Sequence, residues 1–224
     1  MYFRIQQPKA LSSIPRVINN PSVYRQHNPI AIIDNELFPH TKELAMQGFT
    51  VVEVGNIRDF AAVATYPIIA CDIKDVGDHF GTAFGGAYVI GELRKRYPDK
   101  FLIGYSGGSF GPQYKRFLDS ADMFITRDAG FDQWKEALDT AVMTVGDPVR
   151  RWKRIRAVLL EADMPAFEVF LLEDAYIKSI LKKDEFVLAK ALKRAARVQA
   201  SGEIIEHIAE GLILFVKLAA HLAA

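Results

Sequence analysis

The chain has 224 residues, half of them apolar and a quarter charged, enough for one domain of ordinary size and a smaller second piece. Its 28 Lys and Arg against 27 Asp and Glu leave a formal charge of +1, so no global field draws it to nucleic acid or to an acidic membrane. A single cysteine, Cys71, excludes an internal disulfide framework and a cysteine-rich zinc site; it suits a reducing compartment, and the expected location is the cytoplasm.

Residues 1–29 hold four of the ten prolines (Pro8, Pro15, Pro21, Pro29) and no acidic residue. That texture predicts an extended arm. Arg4, Lys9, Arg16 and the early prolines leave no apolar core of the kind an export signal needs. From 30 to 146, short apolar runs alternate with helical patterns. IAII (30–33), FTVVEV (49–54), PIIACDI (67–73), KFLIGYS (100–106) and ADMFITR (121–127) read as five buried strands. Helices are predicted over 36–47, 58–65, 87–97, 113–120 and 130–142, the third ending at Tyr97 because a proline follows it. Strand-then-helix units in series imply an α/β fold, a five-stranded parallel doubly wound sheet with helices on both faces.

After Gly146 the strands stop, and 147–224 reads as an all-helical region. Asp147-Pro148 opens a helix to about Asp163, Pro165 starts another to about Lys183, Asp184 caps a third to about Ala200, and Ser201-Gly202 introduces the last. On that last helix Ile204, Ile208, Leu212, Phe215, Ala219 and Leu222 form one apolar stripe, which something must cover. The apolar end, 211–224, would rise about 21 Å as a helix, short of a hydrocarbon core of about 30 Å. Segment 203–224 is therefore expected to be buried, to pair two copies into a homodimer, or to lie on a membrane surface rather than span it. Two basic clusters, Arg150, Arg151, Lys153, Arg154, Arg156 and Lys190, Lys193, Arg194, Arg197, read first as solvated helix faces, since no helix-turn-helix or stacking motif accompanies them.

In a parallel α/β sheet, ligands collect beyond the carboxyl ends of the strands. The first strand ends in Asp34-Asn35-Glu36, the third in Asp72, the fourth in Ser106 and the fifth in Arg127-Asp128. Brought together, these make an acidic pocket with one hydroxyl and one fixed cation. Such a pocket could hold a hard divalent ion, most plausibly Mg²⁺, which would let a carboxylate approach a phosphoryl group.

The pattern resembles the response-regulator receiver domain over roughly 30–145. Asp34 matches the first of the family's paired acids, and Asn35 stands at the second position. Asp72 in CDIKDVG matches the phospho-accepting aspartate, Ser106 before Gly107 the hydroxyl switch residue, and Phe124 and Arg127 in ADMFITRD the switch aromatic and the cation. The resemblance implies phosphoryl acceptance on Asp72 from a histidine kinase or phosphotransfer protein. Ser106 and Arg127 would contact the phosphoryl group and Phe124 would shift. It further implies Mg²⁺ held by Asp34, Asn35, Asp72 and the Lys74 backbone carbonyl, with a downstream protein partner reading the change through the helical region. The role that the resemblance implies is that of a phosphorelay signalling domain rather than an enzyme with turnover. Asn35 removes one metal-binding charge, and arginine is a longer, planar fork than the family's lysine.

Two other classes stay open. One is a degenerate receiver that docks partners without phosphorylation, its strand-end carboxylates merely capping local backbone. The other is a serine hydrolase, because Gly104-Tyr105-Ser106-Gly107-Gly108 fits G-x-S-x-G after an apolar strand, although the only later histidines, His207 and His221, lie in the last helical pattern. The glycines Gly77 to Gly86 lack the order of a phosphate or dinucleotide loop and read as a flexible loop beside the pocket.

Overall fold

The computed structural model describes residues 9–15, 20–108, 111–198 and 202–222. The chain divides into two compact units, 18–147 on one hand and 1–17 with 148–224 on the other. The proline-rich stretch read as an extended arm contains a 3-10 turn, Leu11–Ser13, belonging to the second unit, and a short helix α1, Ser22–Arg25, belonging to the first.

In the first unit a run such as Ile30-Ala31-Ile32-Ile33 has no polar face, so it is stable only where both sides are covered. It forms β1 (Ile30–Ile33), and with β3 (Ile68–Asp72) and β4 (Phe101–Ser106) it is buried throughout. The sheet is parallel in the order β2-β1-β3-β4-β5, which puts β2 (Val51–Glu53) and β5 (Met123–Thr126) at its edges. Those two are partly exposed. The expectation of five buried strands therefore holds for the central three.

One face of the sheet presents Ala31, Ile33, Ile69 and Cys71 to α3 (Gly85–Arg96), through Ala87, Ile90 and Leu93. Alternate residues reach the other face, where Tyr105 meets Trp134 of α5 (Phe131–Gly146) with ring centroids 5.2 Å apart. α3 ends at Arg96 and Tyr97 leaves helical geometry before Pro98, as expected. The remaining connections are less helical than the pattern suggests. α2 spans only Thr41–Met46, 58–65 contains a 3-10 turn (Phe60–Val63), and 113–120 holds a 3-10 turn running into one helical turn, α4 (Lys115–Leu118). In the 3-10 turn at Phe60–Val63, Asp59 accepts the Ala61 N–H. Before α2, Asp34 takes the Glu36 N–H. These side chains satisfy backbone donors locally and favour turns over long helices.

The second unit contains α6 (Pro148–Glu161), α7 (Ala166–Lys182), α8 (Phe186–Val198) and α9 (Gly202–Leu222). Asp184 Oδ1 accepts the Phe186 N–H at 2.9 Å and so caps α8. The rings of Trp152 and Tyr176 stack at 5.0 Å, and those of Tyr176 and Phe215 at 6.5 Å. On α9 the residues buried against the other helices are Ile205, Ile208, Leu212, Phe215 and Val216. The described part of the stripe, Ile208, Leu212 and Phe215, is thus covered within the chain's own helical unit. Ile204, Ala219 and Leu222 lie outside the residues whose side chains are described, as do the histidines His207 and His221. The basic clusters are partly structural: Arg151 is buried, donates to the Gly211 carbonyl and lies over Phe215, while Arg156 and Arg194 pair with Glu173 and Glu168. Among the described residues no helix is long and apolar enough to cross a membrane.

Candidate functional site

Register alone brings the two acids together. Ile33 pairs with Cys71 across β1 and β3, so Asp34 and Asp72, each one step further on, stand side by side at the carboxyl end of the sheet. This is the crossover point of a 2-1-3-4-5 order, where chain connections leave to opposite faces and open a crevice. Both carboxylates are nearly sealed, their side chains 3% and 1% exposed.

Arg127 reaches them from beyond β5. Its backbone N–H continues the ladder to the Ser106 carbonyl at 3.0 Å, which fixes where its side chain begins. Nη1 donates to Asp72 Oδ2 at 2.7 Å; Nη2 donates to Asp34 Oδ2 and Oδ1 at 3.3 and 3.4 Å and to Glu36 Oε2 at 2.7 Å. One planar fork thus bridges three carboxylates, which a lysine ammonium at this position could not span in the same way.

Burial opposes charge on Asp72, Arg127, Tyr105 and Cys71, and the balance differs from one to the next. It raises the Asp72 carboxyl above its ordinary value; the Lys74 N–H and Arg127 pull the other way, while Asp34 and Asp75 add to the rise. Burial also opposes the Arg127 charge, but Asp34, Asp72 and Glu36 outweigh it and hold the guanidinium above its usual range. The Tyr105 phenol is pushed up by burial and by Asp34, and the Cys71 thiol by burial, Asp72 and Asp34, so both are neutral near pH 7 and Cys71 is not a reactive thiolate.

Two members of the site were given no individual role in the sequence reading. Tyr105 donates its hydroxyl to Asp34 Oδ2 at 2.7 Å, and Glu36 is the outermost partner of Arg127. Glu36 was visible among the strand-end acids, whereas a tyrosine inside an apolar strand reads as core.

Ser106 and Phe124 occupy the neighbouring part of the rim. Ser106 is 7% exposed and its Oγ is buried without a hydrogen-bond partner. Such an orphaned buried hydroxyl is uncommon in a folded chain. Phe124 is 46% exposed, and its ring lies across Gly104: a Cβ built there would come within 2.3 Å of Phe124 Cε1. No acid or histidine bonds to Ser106 Oγ among the described residues. Nor does Ser106 adopt the strained left-handed turn of a nucleophile elbow, since the non-glycine residues with positive φ are Asp163 and Lys183.

The glycine-rich segment is held in place at the points where it meets the acceptor strand. The Gly77 N–H donates to Asn56 Oδ1 at 2.9 Å, Gly85 has φ +51°, and the Gly86 N–H donates to the Ile73 carbonyl at 3.0 Å. The start of α3 lies so close to β3 that a Cβ on Gly86 would overlap the Asp72 carbonyl oxygen.

The fit to Mg²⁺ is poor. The ion prefers near-octahedral oxygen coordination at about 2.0–2.1 Å. Asn35 is exposed, the Lys74 carbonyl lies against Gly85, and the Lys74 N–H is already spent on Asp72 Oδ1. The carboxylates that remain are engaged by Arg127, and among the described residues no group of three or more His, Cys, Asp or Glu could hold a metal.

No protein-family model matches the chain, and no curated protein does. Solved structures similar to it include a CheY-like response-regulator receiver domain protein from Methanospirillum hungatei, 19% identical, covering 51% of this chain and 93% of its own, with a TM-score of 0.42. Another is the beryllofluoride-activated NtrC4 receiver domain dimer, 14% identical, covering 51% and 96%, TM-score 0.40. A third is the response regulator protein TrrA from Thermotoga maritima in complex with Mg²⁺-BeF, 20% identical, covering 51% and 98%, TM-score 0.39.

Proposed function

We propose that the 18–147 unit is a receiver-type signalling domain that accepts a phosphoryl group on Asp72 and passes the change to the helical region. The observation that carries this is the convergence at one sheet end of a buried carboxylate pair, a bridging guanidinium and an unpartnered serine hydroxyl.

A phosphohistidine of a kinase or phosphotransfer protein is the expected donor. An Asp72 carboxylate oxygen attacks phosphorus, the P–N bond breaks, and its electron pair returns to the ring nitrogen, leaving a neutral imidazole that keeps the proton on its other nitrogen. Arg127 Nη1 moves from Asp72 Oδ2 to a phosphoryl oxygen, and Ser106 Oγ, which has nothing to give up, turns its proton toward another. Movement of Ser106 and Arg127 loosens the rim against which Phe124 rests. The switch is a local charge change read as a shape change by a downstream partner. The magnesium ion that the resemblance implies has no part in these steps, and the positive charge comes from Arg127.

Treating the full chain with phosphoramidate and trapping the acyl phosphate with borohydride tests the reading. One modified residue, Asp72, is expected, and it is absent from Asp72→Asn. Failure of the wild-type chain to take up phosphate from phosphoramidate or from phosphohistidine donors would leave a docking domain instead.

A further inference from the structure

Every oxygen of the buried acid pair already receives a donor hydrogen. Asp34 Oδ1 accepts from the Glu36 N–H and Arg127, and Asp34 Oδ2 from Tyr105 and Arg127. Asp72 Oδ1 accepts from the Lys74 N–H and Asp72 Oδ2 from Arg127. Each Asp34 oxygen carries two donors, so a divalent ion that uses Asp34 must strip one of them, and one that bridges Asp34 to Asp72 must displace the guanidinium lying between the two. The buried charge would then change from two anions with one cation to two anions with a metal and a displaced arginine. Like-charge repulsion between the ion and Arg127 adds to the cost.

We propose that Arg127 is the resident cation of this pocket, a tethered replacement for a divalent metal, and that the acidic sheet end is closed to Mg²⁺ as long as arginine stands at this position. The three bonds that Nη2 makes across Asp34 and Glu36 hold the fork in place. The single Nη1 bond to Asp72 leaves that carboxylate as the one from which it can turn away. The part of the inference that concerns phosphoryl transfer rests on the function proposed above; the part that concerns metal stands on the geometry alone.

Titration calorimetry of the full-length chain with MgCl₂, repeated with Mn²⁺ by electron paramagnetic resonance, decides the metal question. Wild type is expected to give no saturable binding across the millimolar range. Arg127→Ala, which leaves Asp34 and Asp72 without their cation, is expected to bind Mn²⁺ saturably, and Arg127→Lys, with a point charge in place of the fork, to fall between. Saturable Mg²⁺ binding by wild type overturns the proposal whether or not Arg127→Ala folds; equal, negligible binding by wild type and a folded Arg127→Ala overturns it from the other side. In a second arm, phosphoramidate labelling of Asp72 in EDTA is expected to match that in Mg²⁺ to within about twofold. Labelling that requires Mg²⁺ refutes the proposal. No labelling under either condition removes the phospho-acceptor reading and leaves the cation assignment to the titration.

Discussion

Replacing Gly86 with alanine places a methyl group where the Asp72 carbonyl already is. The built Cβ lies 1.7 Å from that oxygen, half the distance at which ordinary contact begins, and 2.9 Å from Val76 Cγ2. The obstacle is backbone in the central strand, so no side-chain rotation relieves it. The first turn of α3 must lift, which breaks the Gly86 N–H bond to Ile73, worth about 1 kcal/mol, and strains a packed interior by about 1–3 kcal/mol. Better helix propensity returns up to about 1 kcal/mol. The net loss is about 1–4 kcal/mol, which lowers the melting temperature by about 3–20 °C in thermal unfolding followed by circular dichroism. Gly91 in the same helix is the control. Its Cβ would meet only the ring of Phe117, at 2.7 Å, and a ring edge can swing aside. Gly91→Ala is expected within about 1 kcal/mol of wild type. A Gly86→Ala melting point within about 2 °C of wild type refutes the close approach of α3 to the acceptor strand.

Tyr105→Phe removes a buried hydrogen bond to a carboxylate and should lower stability by about 1.5–3 kcal/mol in guanidinium unfolding; no change means that water or Arg127 serves Asp34 equally well. Ser106→Ala discards an unsatisfied buried hydroxyl, so the unmodified protein should be as stable or up to about 1 kcal/mol more so, while the half-life of phosphorylated Asp72 changes; a clear loss of stability means the hydroxyl has a partner. The Asp72 carboxyl binds its proton more tightly folded than unfolded, so its contribution to stability is complete below the ordinary value of 3.8 and is lost as pH rises through the raised folded value. The melting point of Asp72→Asn minus that of wild type should therefore climb from acid toward neutral pH. A flat or falling difference contradicts the burial of this acid.

The central sheet was legible because Ile30–Ile33, Ile68–Asp72 and Phe101–Ser106 combine apolar runs with punctuated ends, a pattern that burial on both faces imposes directly. The edges were not, since Met123–Thr126 is apolar at three of its four positions and only its place in the sheet order exposes it. Short helices were over-read where Asp34 and Asp59 take backbone donors for themselves, a local competition that periodicity does not register. In the site, strand-end position identified Asp34, Asp72, Ser106 and Arg127. The bridging of both acids by Arg127 is a matter of side-chain reach, and Tyr105 joins through a hydroxyl at the tip of a buried ring. On α9 the stripe was read in place at Ile208, Leu212 and Phe215, and the buried face takes in Ile205 and Val216 as well, because α6, α7 and α8 pack on it.

The ring of Phe124 lies flush with the sheet only because residue 104 on the adjacent strand projects nothing at all. Position 104 therefore governs the aromatic as surely as position 124 does. A single methyl on the inner strand would evict the ring toward solvent with no change at the acids.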